Sequence, residues 1–248
     1  MTGASDNPGE PRIQSFGRKR GRPLRAGRRK LFAELLPEIE FAPPAGRDPA
    51  AIDRASLDPA TMWGEPGRET WLEIGFGAGE HLAWQAGQHP GIGFIGAEVY
   101  EAGIGVLLSA IAREGLANIR IHAADAVTLL DALPARSIAR AFVLFPDPWP
   151  KRRHWKRRLV SAAGLARLAR VLADDAELRL ATDDPSYLTW MLQHILASPD
   201  FIWTARRARD WLERPEDWPE TRYEAKAIRD GRRPCYLRLI RRRRKREA

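Results

Sequence analysis

The 248-residue sequence has little of what disulfide-stabilised, zinc-binding or membrane proteins require. Its single cysteine, Cys235, excludes an intramolecular disulfide and a metal site built from clustered cysteines. The five histidines are scattered without ligand spacing, so no metal site is predicted. No apolar run approaches the roughly 20 residues that cross a bilayer, and the polar start "MTGASDNPGEP" is not a signal peptide. These absences predict a cytoplasmic protein with no membrane contact, and nothing in the sequence indicates an obligate protein partner.

The net charge of +9 is unevenly distributed. Residues 1–30 contain nine Lys or Arg and two acids, and residues 241–248 contain six and one, so the segment between them carries −3. Basic ends on a slightly acidic body favour a polyanionic partner such as nucleic acid, although they could serve solubility alone. We expect a disordered basic tail over 1–30, one folded domain over 31–241 and a second basic tail over 242–248.

Short apolar runs alternate with helical stretches from Trp71 onward. The predicted strands lie at 71–75, 91–99, 118–125, 139–149 and 176–184, with amphipathic segments between them. This alternation indicates βαβ units and an α/β fold with a mostly parallel, doubly wound, Rossmann-like sheet. After Asp200 the segments "FIWTARR" and "CYLRLIRR" predict a C-terminal antiparallel hairpin, with "PETRYEAK" in a polar linker between its strands.

The glycine-rich segment "EIGFGAGE" follows the first predicted strand and opens the first helix. Gly75 and Gly77 would let the backbone approach a ligand. Glu98 ends the second strand, where a carboxylate can accept hydrogen bonds from both ribose hydroxyls of an adenosine. Asp125 ends the third strand and would lie near an adenine, or else cap the following helix. These positions are typical of a nucleoside cofactor site.

Two cofactors use this layout, a nicotinamide dinucleotide and S-adenosylmethionine. The spacing G-x-G-x-G is one residue shorter than the dinucleotide fingerprint. Glu73 stands just before the glycines, where a carboxylate would repel a pyrophosphate and attract a sulfonium or an ammonium group. The acids therefore favour S-adenosylmethionine.

The segment "FPDPWPKRRHWKRR" ends the fourth predicted strand. Its prolines fix an extended path that holds Asp147 at the carboxyl edge of the sheet, where it could accept from purine N–H groups or only stiffen a turn. Trp149 could stack on a base or close the core. The basic run follows at once and can grip phosphates, so that a nucleic-acid backbone presents a base to the site.

In order along the chain, "EIGFGAGE", "GAEVYEAGIG", "FPDPWPKRRHWKRR", "ATDD" and "TRYE" resemble the motifs of the bacterial tRNA (guanine-N7)-methyltransferase family. The resemblance covers roughly residues 31–241 and implies a class I fold, S-adenosylmethionine as cofactor and a guanosine of the tRNA variable loop as substrate. Where the family usually has Thr-Lys-Phe-Glu, this chain has "TRYE", which keeps the charge and the ring.

The resemblance also implies roles for individual residues. Asp147 would be catalytic. Together with Glu73, Glu98 and Asp125 it would contact or flank the cofactor. The residues implied in substrate binding are Lys151, Asp183, Thr221, Arg222, Tyr223 and Glu224. Those implied on the RNA are Arg153, His154, Lys156, Arg157 and Arg158.

Two other functions stay open on the sequence. An exocyclic-amino methyltransferase would use a similar strand end, but with Asn/Asp-Pro-Pro-aromatic instead of Asp-Pro-Trp-Pro. A non-catalytic RNA-binding protein could keep the fold without binding the cofactor. A nicotinamide-dependent dehydrogenase fits the glycine spacing least well.

Overall fold

The centre of the molecule is one mixed β-sheet, seen in a computed structural model that describes residues 23–42, 57–65 and 67–245. Within these residues the sheet has seven strands. Their bounds are β1 Thr70–Ile74, β2 Gly93–Ala97, β3 Ile119–His122, β4 Ile138–Leu144, β5 Leu172–Thr182, β6 Phe201–Trp203 and β7 Cys235–Arg241. The order across the sheet is β3-β2-β1-β4-β5-β7-β6. The first five are parallel, and β7 runs antiparallel to both β5 and β6.

Helices lie on both faces of this sheet. Their bounds are α1 Ala26–Glu34, α2 Leu36–Ile39, α3 Pro59–Met62, α4 Glu80–Gln88, α5 Glu101–Glu114, α6 Ala126–Ala132, α7 Ala162–Val171, α8 Pro185–Ala197, α9 Arg209–Leu212 and α10 Arg222–Arg229. One buried cluster joins α4 and α5 to the sheet, and a second joins α6, α7 and α8 to its other face. β1 and β2 are buried at every residue, as expected for parallel strands covered on both sides. None of the described helices is long and apolar enough to cross a membrane.

The predicted α/β alternation and the C-terminal hairpin are confirmed. The linker prediction for "PETRYEAK" is wrong, because residues 222–229 form α10. Between β4 and β5, α7 begins at Ala162, where the Ser161 side chain accepts from the Gly164 amide at 3.2 Å as its N-cap. The residues 152–157 before it form a separate 3₁₀ turn.

The predicted tail boundaries also change. Residues 26–30 belong to α1, which packs on α5, whereas residues 1–22 lie outside the described residues. At the other end, Arg243 pairs with Asp175 at 2.6 Å. Arg244 pairs with Asp174, and its guanidinium donates to the Leu172 carbonyl at 2.9 Å. The chain is therefore bound to the body through Arg244.

Candidate active site

The glycine loop connects β1 to α4 in a tight left-handed path. Gly75, Gly77 and Gly79 have φ values of +73°, +55° and +75°, a region that side chains rarely enter. A Cβ on Gly75 or Gly77 would meet no atom within 4 Å, so their backbone faces open space. A Cβ on Gly103 in α5 would instead lie 2.1 Å from the Gly77 carbonyl oxygen. The loop is thus open on one side and tightly supported by α5 on the other.

Glu98 holds this loop from the end of β2. One carboxylate oxygen accepts from the Gly77 amide at 2.8 Å, and the other accepts from Val99 and Tyr100 at 2.7 and 2.9 Å. Burial raises the pKa of Glu98 above its ordinary value against the opposing effect of these amides, and the charge of Asp147 raises it further. A carboxylate has about four acceptor positions, so roughly one stays open to a ribose hydroxyl rather than the two that we predicted.

Glu73 is only 3% exposed and has a partner that the sequence did not indicate. The His81 Nδ1 lies 2.7 Å from a Glu73 carboxylate oxygen, and the other ring nitrogen lies 3.2 Å from the Gln85 amide nitrogen. The Gln85 amide in turn donates to the Asp217 carbonyl at 2.9 Å. The chain Glu73–His81–Gln85 fixes the orientation of the carboxylate below the loop. No motif spacing marks His81, since the contact forms only when α4 folds over β1.

Asp125 takes the second role considered for it. Its side chain accepts from the Val127 amide at 2.9 Å and caps α6. The capping alternative is confirmed, and a cofactor contact by this residue stays a prediction.

A cleft of about 490 Å³ opens beside the glycine loop. Its lining includes Glu73, Gly75 and Gly77 on one side and Phe145, Thr221, Arg222 and Tyr223 on the other. Open glycine backbone and the Glu73 carboxylate in the cleft, with Glu98 bound to the Gly77 amide beside it, suit a nucleoside that carries positive charge. These residues therefore fit S-adenosylmethionine better than a diphosphate.

The segment after β4 is strained and presents Asp147 to solvent. Phe145 and Trp149 have φ values of +50° and +45°, a region that non-glycine residues rarely adopt. The Phe145 amide donates to the Ala181 carbonyl at 2.8 Å, so the segment starts in line with β5. Asp147 is exposed, and its charge acts on Glu98. The predicted carboxylate is thus available near the cofactor cleft.

The basic run after Pro150 divides into exposed and packed residues. Lys151, Arg153 and Lys156 are exposed, as binding to phosphates requires. The Arg157 guanidinium lies 4.8 Å from the Trp149 ring centroid. Desolvation and the charge of Arg157 lower the pKa of His154 below its ordinary value, which favours the neutral imidazole in the free protein.

Arg158 is a correction to the predicted RNA surface. It is 1% exposed, and its guanidinium lies 4.9 Å from the ring centroids of both Trp155 and Tyr187. A side chain enclosed in this way cannot reach a phosphate. The RNA contacts predicted for the other residues of the basic run stay predictions.

The "TRYE" segment forms the start of α10 rather than a loop over the base. The Thr221 side chain accepts from the Glu224 amide at 3.2 Å as the N-cap. The Arg222 amide donates to Glu80 at 2.7 Å, and its largely exposed guanidinium also pairs with that carboxylate. Tyr223 is 47% exposed, and its ring lies 5.2 Å from Phe145. Tyr223 is therefore the member placed best for stacking.

Glu224 is the second correction. Its side chain is fully buried, binds the Tyr236 hydroxyl and lies 3.3 Å from Arg214. It points into the protein and does not line the cleft, so the predicted substrate contact is wrong for this structure.

Asp183 is also less accessible than predicted. It is 7% exposed, accepts from the Tyr223 hydroxyl at 3.4 Å and forms an ion pair with Arg232. Arg232 was not predicted, and no sequence signal distinguishes it from other arginines. Asp183 therefore contacts the cleft through Tyr223, which lines it, rather than as an open carboxylate.

The parallel sheet, the open glycine loop and the acids at successive strand ends define a class I methyltransferase. A solved structure agrees with this at the level of fold. The 16S rRNA methyltransferase KamB aligns with a TM-score of 0.54 at 18% identity, over 77% of this chain and 95% of its own.

Sequence comparison gives the particular family. The profile of the family described as "Putative methyltransferase" matches residues 67–236. The tRNA (guanine-N(7)-)-methyltransferase of Rhodospirillum rubrum is 50% identical over 92% of this chain and 87% of its own length. That of Chelativorans sp. is 46% identical over 91% and 94%. The chain belongs to the tRNA (guanine-N(7)-)-methyltransferase family, whose cofactor is S-adenosylmethionine.

Proposed function

We propose that this protein transfers a methyl group from S-adenosylmethionine to N7 of a guanosine in the variable loop of tRNA. The observation that carries the proposal is the position of Asp147. It is exposed at the carboxyl end of β4, acts electrostatically on Glu98 and is followed directly by exposed cations. The activity named for relatives at 46–50% identity supports the same reaction.

The cofactor and the base make different demands on the chain. Bound in the cleft, S-adenosylmethionine supplies an electrophilic methyl group on a positively charged sulfur. Glu73 would hold the cationic end of the cofactor. The open acceptor position of Glu98 would accept a hydrogen bond from a ribose hydroxyl. N7 of guanine has a free lone pair at the major-groove edge, so no proton must be removed from it. Asp147 would accept from guanine N–H groups and stabilise the positive charge that arises on the purine.

The exposed part of the basic run would hold the RNA backbone. Lys151, Arg153 and Lys156 are free to contact phosphates, which sets the position of the tRNA without reading its sequence. Tyr223 offers a half-exposed ring beside Phe145 for stacking on the base. A guanosine engaged in tertiary pairing would first be loosened or extruded.

Every residue in this proposal comes from one chain, and none of the steps needs a metal. No group of acids, histidines and cysteine within the described ranges could hold a metal ion. We propose an enzyme that acts in the cytoplasm without an obligate protein partner.

The test is methyl transfer from labelled S-adenosylmethionine to two tRNA transcripts. One has guanosine in the variable loop, and the other has 7-deazaguanosine at the same position. Wild type should label the first only, and Asp147→Ala should lose that label. Glu114→Ala, on the exposed end of α5, is the matched carboxylate control and should keep it.

Equal labelling of both transcripts would show that N7 is not the acceptor. The exocyclic-amino methyltransferase alternative would then be preferred. Binding of tRNA without any transfer, together with no heat of S-adenosylmethionine binding, would support a non-catalytic RNA-binding protein.

A further inference from the structure

Arg158 is surrounded by aromatic rings. Its guanidinium lies 4.9, 4.9 and 5.2 Å from the ring centroids of Trp155, Tyr187 and Trp190. Two of these rings are held by Val160: the Trp190 indole donates to its carbonyl at 2.6 Å, and the Tyr187 hydroxyl accepts from its amide at 3.3 Å. A guanidinium in such a cage keeps its charge and has a single orientation.

The donors of Arg158 point toward the strained segment. Its Nε donates to the Pro148 carbonyl at 2.8 Å, and one terminal nitrogen donates to the Ser186 hydroxyl at 2.9 Å. Ser186 lies in the first turn of α8, a rigid element. The guanidinium therefore ties the backbone at Pro148, the residue after Asp147, to α8.

The backbone of this segment is poor in hydrogen-bond donors. Prolines 146, 148 and 150 have no amide hydrogen to donate. Trp149 has a φ of +45°, a conformation that persists only where the surroundings enforce it. A hydrogen bond to the Pro148 carbonyl holds the peptide group that joins Pro148 to this strained residue, one residue after Asp147.

We propose that Arg158 is a positioning residue that fixes Asp147 through the Pro148 carbonyl, and that it makes no contact with RNA. The inference rests on the proposed function, since it assigns Asp147 to the reaction. It divides the basic run into an outer part that binds phosphate and an inner arginine that orients the carboxylate.

The test compares Arg158→Lys with Lys156→Ala on the variable-loop guanosine transcript. Lysine keeps the charge but lacks the planar fork that reaches Pro148 and Ser186 together. Arg158→Lys should lower kcat about 10- to 100-fold, with an unchanged KM for tRNA. Its slope of log Kd against log salt should equal that of wild type. Lys156→Ala should keep kcat, raise KM and reduce the salt slope by about one.

A second variant separates positioning from folding. Ser186→Ala removes only the hydrogen bond from Arg158 to α8. It should therefore reduce kcat less than Arg158→Lys does and leave the KM for tRNA unchanged. S-adenosylmethionine titration and thermal unfolding of each variant show whether it is folded. If Arg158→Lys does not fold, Ser186→Ala decides the question.

The inference is overturned by a raised KM and a reduced salt slope in Arg158→Lys, or by full kcat in Arg158→Lys or in a folded Ser186→Ala. A wild-type enzyme that fails to label the transcript would instead refute the proposed function, so the two failures are distinguishable.

Discussion

Replacing Gly103 by alanine tests whether α5 supports the cofactor loop. The new Cβ would lie 2.1 Å from the Gly77 carbonyl oxygen, well inside van der Waals contact, and backbone atoms cannot rotate away. Alanine improves helix propensity by about 1 kcal/mol, but overpacking costs about 1–3 kcal/mol. We expect Gly103→Ala to lower the free energy of unfolding. Because the Gly77 amide also holds Glu98, cofactor affinity should fall about tenfold, equivalent to ~1.4 kcal/mol.

Gly105 provides the matched control on the same helix. A Cβ there would meet only side-chain atoms of Leu24 and Arg28, at 3.4 Å or more, which can adjust. Gly105→Ala should therefore gain helix propensity without the clash. Its free energy of unfolding should be about 1–3 kcal/mol higher than that of Gly103→Ala. Urea denaturation and calorimetric titration with S-adenosylmethionine measure the two quantities. If both substitutions stabilised the protein equally and left the affinity for S-adenosylmethionine unchanged, the contact between α5 and the Gly77 carbonyl would not have the role assigned to it.

Three further predictions concern charge. His81→Phe keeps the ring packing but removes the donor to buried Glu73. Because a buried group without a partner costs ~1–3 kcal/mol, calorimetry should show about tenfold weaker S-adenosylmethionine binding. Wild-type affinity in this variant would exclude the role assigned to His81. Burial raises the pKa of Glu98, so the stability it contributes to the apo-protein is lost as pH rises through that pKa. Cofactor affinity should increase over the same interval, and a Glu98→Gln variant that kept this pH dependence would contradict the assignment. Deleting residues 1–22, which leaves α1 intact, should weaken tRNA binding most at low salt and spare cofactor affinity. Equal tRNA affinity with and without the segment at every salt concentration would show that it does not bind RNA.

The sheet could be predicted because its signal is local. Parallel strands that are covered on both faces appear as short apolar runs, and the glycines and acids at their ends identify one edge. The start of α10, which we predicted as part of a linker, also has a local signal. Thr221 stands three residues before Glu224, the spacing of a helix N-terminus, although here Glu224 turns inward to Tyr236 instead of closing a capping box.

The roles of individual arginines could not be predicted in the same way. Arg157 and Arg158 are adjacent, identical in type and part of one basic run, yet Arg158 is enclosed. Its partners Tyr187 and Trp190 lie about 30 residues further along, and only the packing of α8 brings them near. Likewise, Asp183 looks like an open strand-end carboxylate until Arg232 covers it. Residue type and spacing give the chemistry of a site, whereas long-range packing decides which groups are free to perform it.

The reversed direction of β7 separates the two ends of the C-terminal segment. Its first residue pairs with Thr182 at the carboxyl edge of β5, and its last lies beyond Glu177 toward the opposite edge. Seven residues of strand span about 20 Å. Arg243 and Arg244, which follow β7, are therefore anchored on the side remote from the proposed methyl-transfer site. A fluorophore, affinity handle or surface tether joined beyond Arg244 would therefore be attached through the edge of the sheet opposite the proposed site, which makes this the preferred attachment point for immobilising the working enzyme.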